Sequence, residues 1–152
     1  MLKLRAVVIT SLITVGWQMP MAFAEKVKPI IIETKEDSRI ANGTFADLAG
    51  EADENGPLMA LQDLTLFHPV QVTVISSDST APLHVKISKP GGTDIIFEAD
   101  TNENGSATAK FRSQDEAQIL VTSPTGRKPF TIQVWVAGVI PPKMQSVLRP
   151  IP

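Results

Sequence analysis

The sequence predicts an all-β fold, an antiparallel β-sandwich of the jelly-roll or Ig-like kind, forming a single domain after a cleaved signal peptide. Several short stretches alternate apolar and polar residues. Such alternation buries one face of a strand and leaves the other in water. These stretches recur at roughly ten-residue spacing between turns rich in Gly, Pro, Asp and Asn, which is typical of sandwiches.

Residues 1–24 have the pattern of a secretory signal peptide. Lys3 and Arg5 give a positive start, an apolar run covers 6–16, and Ala22-Phe23-Ala24 fits the small-x-small cleavage pattern. The apolar run is shorter than the roughly 20 residues that a membrane-spanning helix needs. We therefore expect cleavage after Ala24, no membrane insertion after cleavage, and a periplasmic or secreted protein.

The composition narrows the class of protein further. The chain has 152 residues and no cysteine, so it can neither form a disulfide nor be acylated as a lipoprotein. A small secreted eukaryotic domain usually has disulfides, so a bacterial exported protein is the better interpretation. The formal net charge is −2. A mildly acidic protein is a poor partner for phosphate backbones, and nucleic acid is therefore excluded as a partner.

The N-terminal part of the mature chain, residues 25–39, is expected to be extended. Pro29 precedes the apolar run Ile30–Ile32. Because proline cannot donate to a sheet ladder, an edge strand is favoured there. A short strand at Thr44–Phe45 is predicted next, followed by a loop over 51–56.

Just before this loop, Gly50 predicts a turn. Between the loop and residue 69 the sequence pattern does not decide between helix and strand. Within 58–67, leucines three residues apart, as in a helix, overlap with leucines two residues apart, as in a strand. We predict a short helical turn that runs into a strand.

The sandwich domain is expected to span residues 40–138, and its clearest strand is the last. Within 130–136, Phe130, Ile132, Val134 and Val136 fall on the face predicted to be buried, and Gln133 and Trp135 on the other. Earlier strands are predicted near 70–74, 83–87, 95–97, 107–111 and 119–121. Residues 139–152 are rich in proline and are expected to form an extended tail.

The order of several segments resembles the bacterial pre-peptidase C-terminal domain family over about residues 40–138. The segments that carry the resemblance are Gly43-Thr44-Phe45, Pro69–Val74, Leu83–Ile87, Pro90-Gly91-Gly92 and Pro129–Val134. The resemblance implies a jelly-roll-like β-sandwich of the kind appended to secreted enzymes, with a binding or accessory role. The chain departs from the family in having no tyrosine, since Phe130 stands where a tyrosine usually opens the last strand, and no enzyme domain accompanies it.

Few residues could support catalysis. The histidines are His68 and His84, and no nucleophile elbow is present. Zinc would need a third ligand close to them. We expect a protein that is not an enzyme and has no cofactor, with weak calcium binding as the one exception to consider.

The stretch from Asp100 to Gly105 matches the first half of a calcium loop. Asp100, Asn102 and Asn104 supply oxygen ligands at alternate positions, but the twelfth position, where a bidentate glutamate belongs, is Phe111. The favoured alternative is a hairpin turn at Asn104-Gly105. A strong calcium site is therefore not expected.

Trp135, with Gln133 beside it on the same face, is the candidate contact for a protein or glycan partner, since exposed tryptophans often anchor partners. The alternative is that Ile30–Ile32 or the proline-rich tail covers the ring. The predicted function is an exported non-enzymatic binding or accessory module of the bacterial envelope. The alternative function is a structural or assembly protein that pairs with a partner by strand addition or through its tail.

Overall fold

Ten β-strands make up the regular structure of the computed structural model, which describes residues 27–39 and 42–139. No helix occurs in these ranges, so the all-β prediction is confirmed and the helical turn expected within 58–67 is wrong. No helix there is long and apolar enough to cross a membrane. The strands are β1 (Ile30–Ile31), β2 (Lys35–Glu36), β3 (Thr44–Ala52), β4 (Leu58–Leu64), β5 (Val70–Ser76), β6 (His84–Ser88), β7 (Ile95–Asp100), β8 (Ser106–Phe111), β9 (Asp115–Thr122) and β10 (Lys128–Val136).

The strands form two five-stranded sheets. Sheet I has the order β1-β4-β9-β6-β7, and sheet II has the order β2-β3-β10-β5-β8. Every pairing is antiparallel except that of β1 with β4. The nested pairs β6–β7, β5–β8, β4–β9 and β3–β10 describe one long hairpin rolled onto itself. This is the jelly-roll arrangement, one of the two sandwich types that the sequence predicts.

The core lies between the two sheets and is made by the inward-facing residues of both. The faces predicted for the last strand are confirmed, since Phe130, Ile132 and Val134 are at most 2% exposed. Partly buried aromatic rings, Phe97 on β7 and Phe111 on β8, pack against this core. The main buried residues are Met59, Leu61, Leu64, Val85, Ile87, Ile119 and Val121 from sheet I and Val70, Val72, Val74, Phe130, Ile132 and Val134 from sheet II.

The N-terminal segment crosses from one sheet to the other. β1 pairs with β4 at the edge of sheet I, and β2 pairs with β3 at the edge of sheet II. Ile32, between them, is only 4% exposed and belongs to the core, and its amide donates to the carbonyl of Ala60. The segment therefore takes part in the sandwich. The predicted signal peptide, residues 1–24, and tail residues 140–152 lie outside the described residues.

β3 is much longer than the predicted two-residue strand, and Gly50 is not at a turn. Gly50 lies inside β3, directly opposite Phe130 of β10. A Cβ atom at Gly50 would lie 3.0 Å from Cζ of the Phe130 ring, so the ring occupies the space that a side chain would need. Glycine is therefore used for close packing here, a role that glycines within strands can have.

The ambiguous leucine spacing in 58–67 is explained by a β-bulge in β4. The register of β4 against β9 shifts between Leu61 and Leu64, and Asp63 has a φ of 56°. Because the bulge inserts an extra residue, two leucines three positions apart both point inward, with exposures of 2% and 5%. A helical spacing thus arises within a strand.

The two glycine-containing turns around β7 differ in type. Residues 89–94 form a true hairpin between β6 and β7, and the amide of Lys89 donates to the carbonyl of Asp94 at 2.9 Å. Residues 101–105 instead connect β7 of sheet I to β8 of sheet II. The hairpin expected at Asn104-Gly105 is therefore wrong, because the strands on either side belong to opposite sheets.

Candidate functional site

Trp135 lies on the outer face of sheet II, in a row that crosses all five strands. The strand registers align Lys35, Phe45, Trp135, Gln71 and Lys110 in that order from β2 to β8. Side chains directly opposite each other on one face of a sheet are in contact distance. The ring of Trp135 is therefore flanked by Phe45 on one side and by Gln71 on the other, and it is partly exposed.

Trp135, Phe45 and Arg39 form an aromatic platform. The ring centroids of Trp135 and Phe45 are 4.2 Å apart with an interplanar angle of 44°. The guanidinium carbon of Arg39 lies 5.0 Å from the Trp135 centroid and 5.2 Å from the Phe45 centroid. These distances are within the range of a cation–π interaction.

Arg39 is held over the rings by Asp37. Its Nη2 atom lies 2.5 Å from Oδ2 of Asp37, and its Nε atom and backbone amide donate to the same carboxylate. The side-chain hydrogen bond from Arg39, followed by its backbone hydrogen bond, lowers the pKa of Asp37 to about 2. The carboxylate is therefore ionised throughout the physiological pH range, and it is paired with the guanidinium that lies over the rings.

A groove of about 690 Å³ begins at Trp135 and runs to the edge strand β8. Its lining is mostly carbon, with Lys110 and Arg112 as the charged residues at the β8 end. Nη1 of Arg112 donates to the carbonyl of Leu66 at 2.8 Å, which fixes one end of the groove. The lining residues are Pro69, Val70, Gln71, Lys110, Phe111, Arg112, Trp135 and Ala137.

Gln133, the second predicted contact residue, lies in the adjoining row of the same face. This row contains Asp47, Gln133, Thr73 and Thr108, and the Oγ1 atoms of the two threonines are 3.1 Å apart. The structure thus brings Trp135 and Gln133 together on one partly exposed surface, where a polar row borders the aromatic platform. Their contact with a partner stays a prediction.

Two of the three candidate calcium ligands, Asp100 and Asn102, have side chains that contact other protein groups. Oδ1 of Asn102 accepts hydrogen bonds from the backbone amides of Asn104 and Ser106 and from the Ser106 hydroxyl. Oδ1 of Asp100 lies 2.8 Å from Nδ1 of His84. Phe111, at the twelfth position, packs against the core. The Asn102 side chain therefore closes an Asx-type turn, and the Asp100 carboxylate is paired with His84.

Within 27–39 and 42–139, no group of three or more His, Cys, Asp and Glu side chains has an arrangement that could hold a metal ion. Weak calcium binding at Asp100 stays a prediction.

His84 bridges two carboxylates on the outer face of sheet I. Its Nε2 atom lies 2.9 Å from Oε1 of Glu98, and its Nδ1 atom faces Asp100. The hydrogen bond with Asp100, then the one with Glu98, raises the pKa of His84 above its ordinary value. An imidazolium can donate from both nitrogens, which suits two carboxylates. His84 and Lys86 lie two residues apart on β6, and Glu98 and Asp100 lie two residues apart on β7, so each pair shares one strand face. Because one hairpin joins these strands, this spacing is a sequence signal that could have revealed the cluster.

Comparisons with known proteins give structural neighbours but no family. No family model matches the chain, and no curated protein matches its sequence. PliG of Aeromonas hydrophila, a periplasmic lysozyme inhibitor of g-type lysozyme, aligns with a TM-score of 0.46 and 12% identity over 72% of this chain and 97% of PliG. A chain from the disulfide-linked pili of Bacillus endospore appendages aligns with a TM-score of 0.40 and 14% identity, over 68% of this chain and 99% of that one.

Both TM-scores are below 0.5, so these neighbours carry no argument about function. The resemblance to pre-peptidase C-terminal domains stays a prediction.

Proposed function

We propose that this chain is an exported, non-enzymatic binding module that holds its partner on the outer face of sheet II, centred on Trp135. The observation that carries the proposal is the aromatic platform of Trp135, Phe45 and Arg39 at one end of an open, mostly apolar groove. Aromatic rings and arginine are the residues most enriched among binding hot spots. A partly exposed tryptophan that already packs against neighbouring side chains loses less conformational entropy when a partner covers it than a freely rotating one would.

The arrangement of the two histidines supports binding rather than catalysis. A general base needs a ring nitrogen that can accept a proton from the reacting group. Both ring nitrogens of His84 are engaged by carboxylates, and its raised pKa favours the charged form. His68 lies in the turn before β5, where its Nδ1 atom is 3.3 Å from the hydroxyl oxygen of Thr65.

Export is part of the proposal and rests on the pattern of residues 1–24. Intact-mass measurement of the protein from the periplasm of an expressing bacterium tests it. Loss of residues 1–24 is expected, and retention of that segment would contradict export by this route.

Site-specific photo-crosslinking tests the binding surface. The crosslinking residue p-benzoylphenylalanine is placed at position 71, inside the groove, and in a control protein at position 125, in the exposed turn before β10. A discrete adduct with one envelope component is expected at position 71 only. Trp135→Ala should abolish it, and Trp135→Phe, which keeps a ring at this position, should retain part of it. Equal adducts at both positions, or an adduct that survives Trp135→Ala, would contradict the proposal.

An assembly role by strand addition is the second candidate, favoured by apolar residues on the sheet edges. Ile30 on β1 is 60% exposed and Ile95 on β7 is 53% exposed, and both strands lie at the edges of sheet I. Exposed apolar edge strands can pair with another chain. Ile30→Lys and Ile95→Lys would then release the partner while Trp135→Ala would not, which is the reverse of the pattern expected for the binding module.

A further inference from the structure

We infer that the groove beside Trp135 accepts an acidic peptide segment of a protein partner, one that carries an apolar side chain next to a carboxylate. The inference rests on the proposed function and names the chemistry of the ligand. It depends on three features of the groove: its charge, the scarcity of hydrogen-bonding groups in its wall, and its position at the edge of a sheet.

The charge of the groove is opposite to that of the protein as a whole. The chain has a formal net charge of −2, yet the groove residues that lie within 27–39 and 42–139 include Lys110 and Arg112 and no carboxylate. Lys110 is exposed and has no hydrogen-bond or ion-pair partner among the residues that the structure describes. Arg112 is oriented by its bond to the Leu66 carbonyl. A ligand carboxylate at this end would meet two cations, and opposite charges across an interface favour both encounter and specificity.

The wall of the groove suits an apolar side chain better than a sugar. Pro69, Val70, Phe111, Trp135 and Ala137 present carbon, and Gln71 is the one uncharged polar side chain among the described lining residues. A glycan buries many hydroxyl groups, and each one left without a hydrogen-bond partner costs free energy. The Trp135 ring also has the Arg39 guanidinium stacked on it, so the ring is partly covered against a sugar face.

The groove ends at β8, the edge strand of sheet II. β8 pairs with β5 and has no further strand neighbour in sheet II among the described residues. An extended peptide can use the main-chain groups of such an edge and place alternate side chains into pockets beside it. A peptide can therefore pair with the main chain of β8 and also place a side chain in the groove, whereas a glycan cannot extend the sheet.

The test is a fluorescence-anisotropy titration of the mature protein, residues 25–152, with a fluorescein-labelled peptide in which Asp and Glu residues flank a phenylalanine. A peptide of the same length with Asn and Gln in place of the acids is the matched ligand control. We expect the acidic peptide to bind and the neutral peptide to bind at least about tenfold more weakly. Raising the salt from about 50 mM to about 500 mM should weaken the acidic peptide as well.

Protein variants locate the effect. Lys110→Gln combined with Arg112→Gln should weaken binding of the acidic peptide about tenfold, because two charge contacts are lost. Arg127→Gln, which removes an exposed cation near the opposite end of β10, is the matched control and should leave binding within about twofold. Unchanged circular dichroism spectra would show that the exposed substitutions leave the fold intact.

The outcomes separate this inference from the proposed function. Equal binding of the two peptides, no binding of the acidic peptide up to about millimolar concentration, or no effect of the double variant would overturn the acidic-peptide assignment. Tighter binding of oligogalacturonate than of the peptide would assign the groove to an anionic glycan instead. If crosslinking at position 71 still depends on Trp135 while the acidic peptide fails, recognition at this surface stands and only its proposed chemistry is wrong.

Discussion

The two faces of β10 have different surroundings although their residues alternate along one backbone. On the inner face, Phe130, Ile132 and Val134 are at most 2% exposed and contact the core. On the outer face, Gln133 and Trp135 are partly exposed, and Trp135 contacts Phe45 and Arg39. The opposite sheet covers the inner face, whereas no second layer of strands among the described residues covers the outer one. The inner face therefore supplies stability, and the outer face is the surface on which we propose that a partner binds.

The largest effect should come from opening a cavity on the inner face. Ile132→Ala should lower the free energy of unfolding by about 2–5 kcal/mol, because Ile132 is 1% exposed and the rigid sandwich cannot fill the space. Urea denaturation followed by Trp135 fluorescence measures it. Thr131→Ala, on the outer face of the same strand, is the control and should change stability by less than about 0.5 kcal/mol. Equal losses for the two variants would remove the difference between the faces.

Adding volume on the inner face should also destabilise, by a smaller amount. Gly50→Ala places a Cβ atom 3.0 Å from the Phe130 ring, and overpacking of this kind costs about 1–3 kcal/mol. Ala49→Val adds volume at the neighbouring exposed position on the outer face of β3 and should be nearly neutral. Thermal denaturation of both variants compares them. A Gly50→Ala protein as stable as the wild type would mean that the Phe130 ring moves aside freely.

The sequence predicted the inner face of β10 well because alternation is a local signal. The buried set Phe130, Ile132 and Val134 follows from the period of a strand alone. The aromatic platform did not follow, because Phe45 and Trp135 meet only through the β3–β10 pairing, which joins the two ends of the jelly roll. Arg39 lies in a turn whose approach to Trp135 depends on β2 docking against β3. Long-range strand pairing is what single-sequence patterns leave open.

Local patterns also misled in two places, for physical reasons. A bulge at Asp63 imitates the spacing of a helix, and Gly50 imitates a turn although it makes room for Phe130. Leucines three positions apart occur both in helices and across a β-bulge, and glycine occurs both in turns and at close packing contacts. Only the tertiary neighbours decide between these alternatives.

Removing the aromatic ring on the outer face should have a moderate effect. Trp135→Ala should cost about 1–2 kcal/mol, which is less than the about 3–5 kcal/mol of a core aromatic, because the ring is partly exposed and loses mainly its contacts with Phe45 and Arg39. Circular dichroism during chemical denaturation measures it, since the variant lacks the fluorophore. Phe130→Ala is the control and should lose more. A Trp135→Ala loss as large as that of Phe130→Ala would place the Trp135 ring in the core.

The smallest effect concerns pH and the outer face of sheet I. The pKa of His84 is raised, so its contribution to stability is fully present below its ordinary value near 6.5 and is lost as the pH rises through the folded-state pKa. Because the pairs with Glu98 and Asp100 are exposed, the loss should stay below about 1 kcal/mol. Denaturation at about pH 6 and pH 9 measures it, and His84→Gln should remove the difference. A free energy of unfolding that increases from about pH 6 to about pH 9 would contradict the raised pKa of His84.

Acrylamide quenching of Trp135 tests most directly whether the outer face of sheet II is the recognition surface. The full chain has two tryptophans, Trp17 and Trp135, so a protein that comprises residues 25–152 reports on Trp135 alone. The quenching constant is measured before and after addition of the component captured by crosslinking at position 71. We predict a fall of at least about twofold, because binding hot spots lose their solvent when the partner is bound. An unchanged constant in the saturated complex would show that the partner binds elsewhere and would contradict the account.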